Sequence, residues 1–107
     1  MIIDIVFIDL PRGISRAKVM ELYNTTAPKW VANEDLIEKY YFFDEEKSLG
    51  GGVYIWKTRA AQQRWHGPDY HKMVQNLYGA PPRIQVLDAM IRVDPTTSNI
   101  RRFEPAE

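Results

Sequence analysis

The side chains with chemistry to offer are two histidines, His66 and His71, and four polar residues set inside apolar runs: Asp4, Lys39, Gln85 and Asp88. The histidines lie five apart with Pro68 between them. That misses the i, i+4 spacing by which one helix face shares a metal ion, and no acidic cluster accompanies them, so no metal site is expected. A charge in an apolar strand is costly to bury unless it is paired. Each of the four is therefore either a pocket group with a shifted pKa or an edge residue turned to water. Aromatic residues are more numerous than the packing of a small domain needs, among them Tyr23, Trp30, Tyr40, Tyr41, Tyr54, Trp56, Trp65, Tyr70 and Tyr78. An aromatic cavity with a few polar tips is how small organic molecules are held. Gly50, Gly51 and Gly52 form no phosphate loop, because no Lys-Ser/Thr follows and a strand comes next; they read as a hairpin or bulge.

The elements that must position these groups follow from pattern. Residues 2–10 are rich in Ile, Val and Phe and read as a first strand. Ser15 is an N-cap for a first helix whose apolar stripe includes Val19, Tyr23 and Ala27. That helix is expected to stop or kink near Pro28, leaving Trp30 and Val31 in a connecting segment. Residues 36–44 read as strand two, residues 44–48 as a charged turn and residues 53–56 as strand three. Thr58 caps a second helix, which His66, Gly67 and Pro68 divide into two pieces; Gly79 ends it. Residues 83–93 read as strand four. The order is β-α-β-β-α-β, the ferredoxin-like α+β plan of a four-stranded antiparallel sheet with both helices on one face. Strands two and four are apolar on both sides, although a strand with one wet face should alternate. A second copy covering the open face is the simplest solution, so a homodimer is expected.

The totals bound the rest. A chain of 107 residues fits one domain, here residues 1–93 with a polar tail over 94–107. A net charge of zero argues against nucleic acid as a partner. No cysteine is present, so disulfides and thiolate chemistry are excluded and a cytoplasmic location is expected. Asp4 and Asp9 interrupt the first apolar run, and no run spans a bilayer, so no membrane is expected.

Lys39-Tyr40-Tyr41, then Asp44-Glu45, then the run from Gly51 to Ala61 and Leu77-Tyr78-Gly79 resemble the YdhR-like mono-oxygenase family of the dimeric α/β-barrel superfamily. The resemblance covers residues 2–93 and implies two ferredoxin-like protomers whose sheets face each other. It implies a cofactor-independent mono-oxygenase acting on a small aromatic or phenolic substrate between sheet and helices. His71 or His66 would be the base, with Lys39 and Tyr54 as donors to the oxyanion. Tyr23, Trp30, Tyr41, Trp56 and Trp65 would form the walls. The haem-degrading relatives pair a tryptophan with a later helical histidine; here His71 falls too early and Val74 and Gln75 take its place, so no cofactor is expected. A lactone or enol isomerase or lyase, and a non-catalytic module that binds a small aromatic, are the alternatives.

Overall fold

A computed structural model describes residues 1–107. The elements are β1 (Ile2–Asp9), α1 (Arg16–Val31), β2 (Leu36–Asp44), β3 (Leu49–Trp56), α2 (Arg59–Trp65), α3 (Pro68–Tyr78), β4 (Arg83–Asp88), β5 (Ile91–Asp94) and β6 (Asn99–Arg102). The first four strands form an antiparallel sheet in the order β2-β3-β1-β4. This small α+β arrangement is compatible with the ferredoxin-like plan. No helix is long and apolar enough to cross a membrane.

Side-chain alternation along β1 sets the two faces of the sheet. Ile2, Asp4, Val6 and Ile8 are buried, while Ile3, Ile5 and Phe7 between them are partly exposed. The buried set packs with Val19, Tyr23 and Trp30 of α1 and with Tyr70, Val74 and Tyr78 of α3. Those α3 residues are spaced i, i+4, i+8, which places them on one helix face. The opposite sheet face is apolar too: Phe7 meets Phe42 across it, with ring centroids 5.7 Å apart.

Local signals account for the helix ends. The Ser15 hydroxyl accepts the Lys18 N–H at 3.1 Å, and the Thr58 hydroxyl accepts the Ala61 N–H at 3.0 Å. Pro68 opens α3, and Gly79 closes it with φ 88°, a conformation glycine adopts without strain. The second helix thus comes in two pieces, as the sequence predicts.

Three expectations are corrected. α1 does not stop at Pro28 but continues through it to Val31, and Trp30 belongs to its last turn. A proline so near the helix end forfeits one backbone bond, and burial of the Trp30 indole, 4% exposed, outweighs that loss. Strand three begins at Leu49, so the glycines lie inside it. Gly51 adopts φ 147° there, and any Cβ would overlap the Val6 carbonyl oxygen. The predicted strand over residues 83–93 breaks after Asp88. Ala89 N–H bonds Met1 O at 3.1 Å, and β5 leaves the sheet to pair with β6. This hairpin stands beside the open sheet face. A groove of about 640 Å³ lies between them, lined by Ile3, Ile55, Ile91, Val93 and Phe103 among others.

Candidate active site

Strand register assembles the site. Lys39 of β2 is the cross-strand partner of Tyr54 of β3, and Tyr54 is the partner of Asp4 of β1. The three form one row beneath the helices. Room for the lysine comes from Gly52, where a Cβ would press on Lys39 Cε at 3.2 Å.

Lys39 Nζ donates to the Tyr54 hydroxyl at 2.7 Å, and the Tyr54 and Tyr70 hydroxyls lie 3.2 Å apart. The same nitrogen sits 3.6 Å from the Tyr41 ring centroid, 4.3 Å from that of Tyr54 and 4.7 Å from that of Trp30. Burial, aided by the Lys29 ammonium, pushes the Lys39 ammonium down to about 6, with the Asp4 carboxylate acting in the opposite sense. Lys39 is therefore largely a free amine at neutral pH. Burial raises the Tyr54 and Tyr70 phenols, so both keep their protons.

Behind this chain lies a second pair. His66 Nδ1 and Asp4 Oδ2 are 2.7 Å apart, with both side chains fully enclosed. Burial lowers the His66 pKa, against the upward pull of the Asp4 hydrogen bond and charge. His66 is thus neutral, and its Nδ1–H donates to the carboxylate. Asp4 Oδ1, His66 Nε2 and Trp56 Nε1 are buried without partners. The imidazole stacks on Tyr70, centroids 4.0 Å apart, and meets the Tyr54 ring edge-on at 4.3 Å.

The space expected between sheet and helices is nearly filled. Tyr23, Trp30, Tyr54, Tyr70 and Tyr78 leave a cavity of about 10 Å³, room for about one water molecule. Two open grooves lie where α1 meets the β2 edge, of about 270 and 320 Å³. Both share Ala27, Lys39 and Tyr41, and Lys39 and Tyr41 also line the inner cavity. This pair forms the wall between the interior and the grooves.

The predicted residues divide accordingly. Lys39, Tyr54, Tyr41, Trp30 and Tyr23 come together around the cavity. Trp56 lies beneath it, fully buried and stacked on Tyr54 with the rings 3° from parallel. His66 is enclosed by aromatic rings and lines neither the cavity nor the two grooves. His71 lies elsewhere, exposed beside Lys72, Gln75 and Asn76. It is one position on from the inward-facing Tyr70, which rotates it about 100° around the helix. Trp65 is at the surface as well; its Nε1 donates to Asp35 Oδ2 at 3.0 Å. Thr26 carries no sequence signal of a role here: its Oγ1 is 2.5 Å from the Tyr41 hydroxyl and fixes that wall.

Tyr23 braces the same wall. Its ring stacks on Tyr41, centroids 4.4 Å apart. Its hydroxyl donates to Phe42 O at 2.9 Å and accepts the Gly51 N–H at 2.9 Å. In Tyr23→Phe the buried Gly51 N–H loses its partner, and a loss of about 1–3 kcal/mol is expected in urea unfolding. An unchanged midpoint would show that the clasp contributes nothing.

No family model matches the chain, and neither does any curated protein. Solved structures do. The fold is similar to Rv0793 from Mycobacterium tuberculosis, with a TM-score of 0.63 at 14% identity, over 88% of this chain and all 100% of that one. A conserved protein from Methanosarcina mazei Go1 gives a TM-score of 0.52 at 14% identity, over 80% of this chain and 90% of that one. A hypothetical Arabidopsis thaliana protein gives 0.52 at 15% identity, over 82% and 85%. At such identities the likeness concerns the fold alone, and it is consistent with a small ferredoxin-like α+β fold.

Proposed function

We propose that the protein is a cofactor-independent mono-oxygenase of a small aromatic or phenolic substrate, with the Lys39 amine as its base. The observation that carries this reading is the position of Lys39: an amine held near 6, bonded to a phenol, on the wall shared by the inner cavity and the α1–β2 grooves. The resemblance to YdhR-like mono-oxygenases supports it. The base moves from the histidines to Lys39 because His71 is remote and His66 is sealed behind Tyr54 and Tyr70.

In the reaction, Lys39 takes a proton from an activated CH2 of the substrate, and the Tyr54 hydroxyl donates to the oxygen that gains negative charge. The carbanion transfers an electron to O2, and the radical pair joins to a peroxide. The peroxide takes up the proton and loses water, so CH2 plus O2 gives C=O plus H2O. Oxygen uptake by chelator-treated protein over anthrones, naphthalenols and quinols tests this. Uptake that the Lys39→Met variant lacks is the expected result. Turnover that persists without oxygen would point instead to an isomerase, and tight binding without turnover to a binding module.

The open sheet face and the hairpin also support a homodimer. Ile91, Val93 and Ile100 are 55%, 67% and 55% exposed, and like Ile3 and Ile55 beneath them they are apolar. Ile100→Asp should weaken self-association by at least about tenfold, read by sedimentation velocity; an unaltered sedimentation profile removes the hairpin from the interface.

A further inference from the structure

Lys39 differs from the other five lysines in being shielded from water and bonded to a phenol. Lys18, Lys29, Lys47, Lys57 and Lys72 are exposed. Lys39 is not, and it forms no ion pair. Its one hydrogen bond runs to the Tyr54 phenol.

We infer that Lys39 is a carbonyl-capturing amine, which condenses with a small aromatic aldehyde or ketone entering through the grooves between α1 and β2. Three observations carry this. Lys39 lines two grooves of about 270 and 320 Å³ as well as the inner cavity, and the grooves are large enough for a single-ring compound whose ring lies along Tyr41 and Ala27. The Tyr54 hydroxyl at 2.7 Å is placed to protonate the oxygen of the first adduct, and Tyr70 can relay to it. Trp30, Tyr41 and Tyr54 turn ring faces toward the nitrogen. A free amine makes little use of such faces, whereas the iminium formed by condensation is a cation and is stabilised by them.

The groups that face Lys39 act together on its charge. Lys29 and Trp30 approach from α1, Asp4 from β1, Tyr41 from β2, Tyr54 from β3 and Tyr70 from α3. Burial and Lys29 prevail over Asp4 and hold the amine near 6, so the nucleophilic form dominates at neutral pH, as it does for desolvated lysines that form Schiff bases. The step balances. The nitrogen lone pair adds to the carbonyl carbon, the oxygen leaves as water with one amine hydrogen and one proton taken from solvent through Tyr54, and a protonated C=N bond, the iminium, remains. No oxidant or reductant takes part.

This goes beyond the proposed oxygenation, which uses the same amine as a base, and the two fail separately. The test is benzaldehyde with cyanoborohydride at neutral pH, followed by mass spectrometry of the intact chain and of its peptides. The expected result is one N-benzyl adduct at Lys39, formed at least about tenfold faster than at any surface lysine. Its rate should saturate with benzaldehyde and fall in Tyr54→Phe. Lys39→Met should show only the slow background of the surface lysines and the terminal amine. Labelling spread over the surface lysines, or a Lys39 rate that rises linearly with benzaldehyde, overturns the inference. Oxygen uptake with no adduct at Lys39 also overturns it and leaves the base role standing. An adduct without oxygen uptake supports it and removes the oxygenase reading.

Discussion

A Lys39→Met protein should turn over its substrate about 10²–10⁴-fold more slowly than the parent and melt at a higher temperature. The two effects share one cause. Lys39 sits at about 6 in the folded protein against an ordinary 10.5. Between those values the unfolded chain binds a proton that the native chain does not, so the parent's stability rises with pH across that window. Below it the burial cost is fully present; above it the cost is gone. Methionine binds no proton in either state and has a stem of similar length, so the cost disappears at every pH. The gain in melting temperature is therefore largest near pH 6 and below, and it fades toward pH 10.5. Tyr54 loses a partner but retains Tyr70, so no phenol is stranded. Turnover and calorimetric melting over this pH range check both halves. Unchanged turnover removes Lys39 from the mechanism, and a fall in melting temperature identifies it as a structural residue. A site residue whose loss stabilises the fold is the usual mark of a group kept for chemistry.

Much of this arrangement is legible in the sequence because strands have a period of two. Asp4, Lys39 and Tyr54 stand out as polar heads inside apolar or aromatic strands, and each falls on the buried face of its strand. Helix caps are legible because they depend on single local residues, Ser15, Thr58 and Gly79. What is not legible depends on register or on volume. Asp4 and His66 are 62 positions apart, and only the pairing of β1 with β3 and the docking of α2 bring them together. Nothing local marks Thr26 as the partner of Tyr41. Pro28 misleads because its local preference is overridden by the burial of Trp30, a tertiary effect. The break after Asp88 misleads because the apolar pattern runs on through Met90, Ile91 and Val93. Those residues belong to the hairpin, not to the helix-covered sheet. An aromatic set of this kind suits a packed core as well as a cavity lining, and most of it fills the space between sheet and helices. Residue type alone does not tell a wall from a plug.

Asp4→Ala carries the second large effect, and it falls on stability. The carboxylate is fully buried and holds His66 Nδ1–H at 2.7 Å. Without it the imidazole donor has no partner in a site closed by Tyr54, Tyr70, Trp56 and Trp30. An orphaned buried donor, together with the void of the lost side chain, costs about 2–4 kcal/mol. In a domain of this size each kcal/mol lowers the melting temperature by about 4–8 °C. The loss should deepen in acid. Burial already lowers the His66 pKa, and the Asp4 bond and charge are what oppose it. Remove them and the native imidazole resists protonation more strongly. As pH falls below the ordinary 6.5, the unfolded chain then takes up a proton that the native chain refuses, and stability drops further than in the parent. Asp4→Asn keeps an oxygen to accept the Nδ1–H and should lose less than half as much. Thermal melting of both variants between about pH 5 and 8 separates the possibilities. If Asp4→Ala melts with the parent, water has replaced the carboxylate and the pair is no structural anchor. If Asp4→Asn falls as far as Asp4→Ala, the negative charge itself, and not the hydrogen bond, holds His66 beneath the tyrosines that position Lys39.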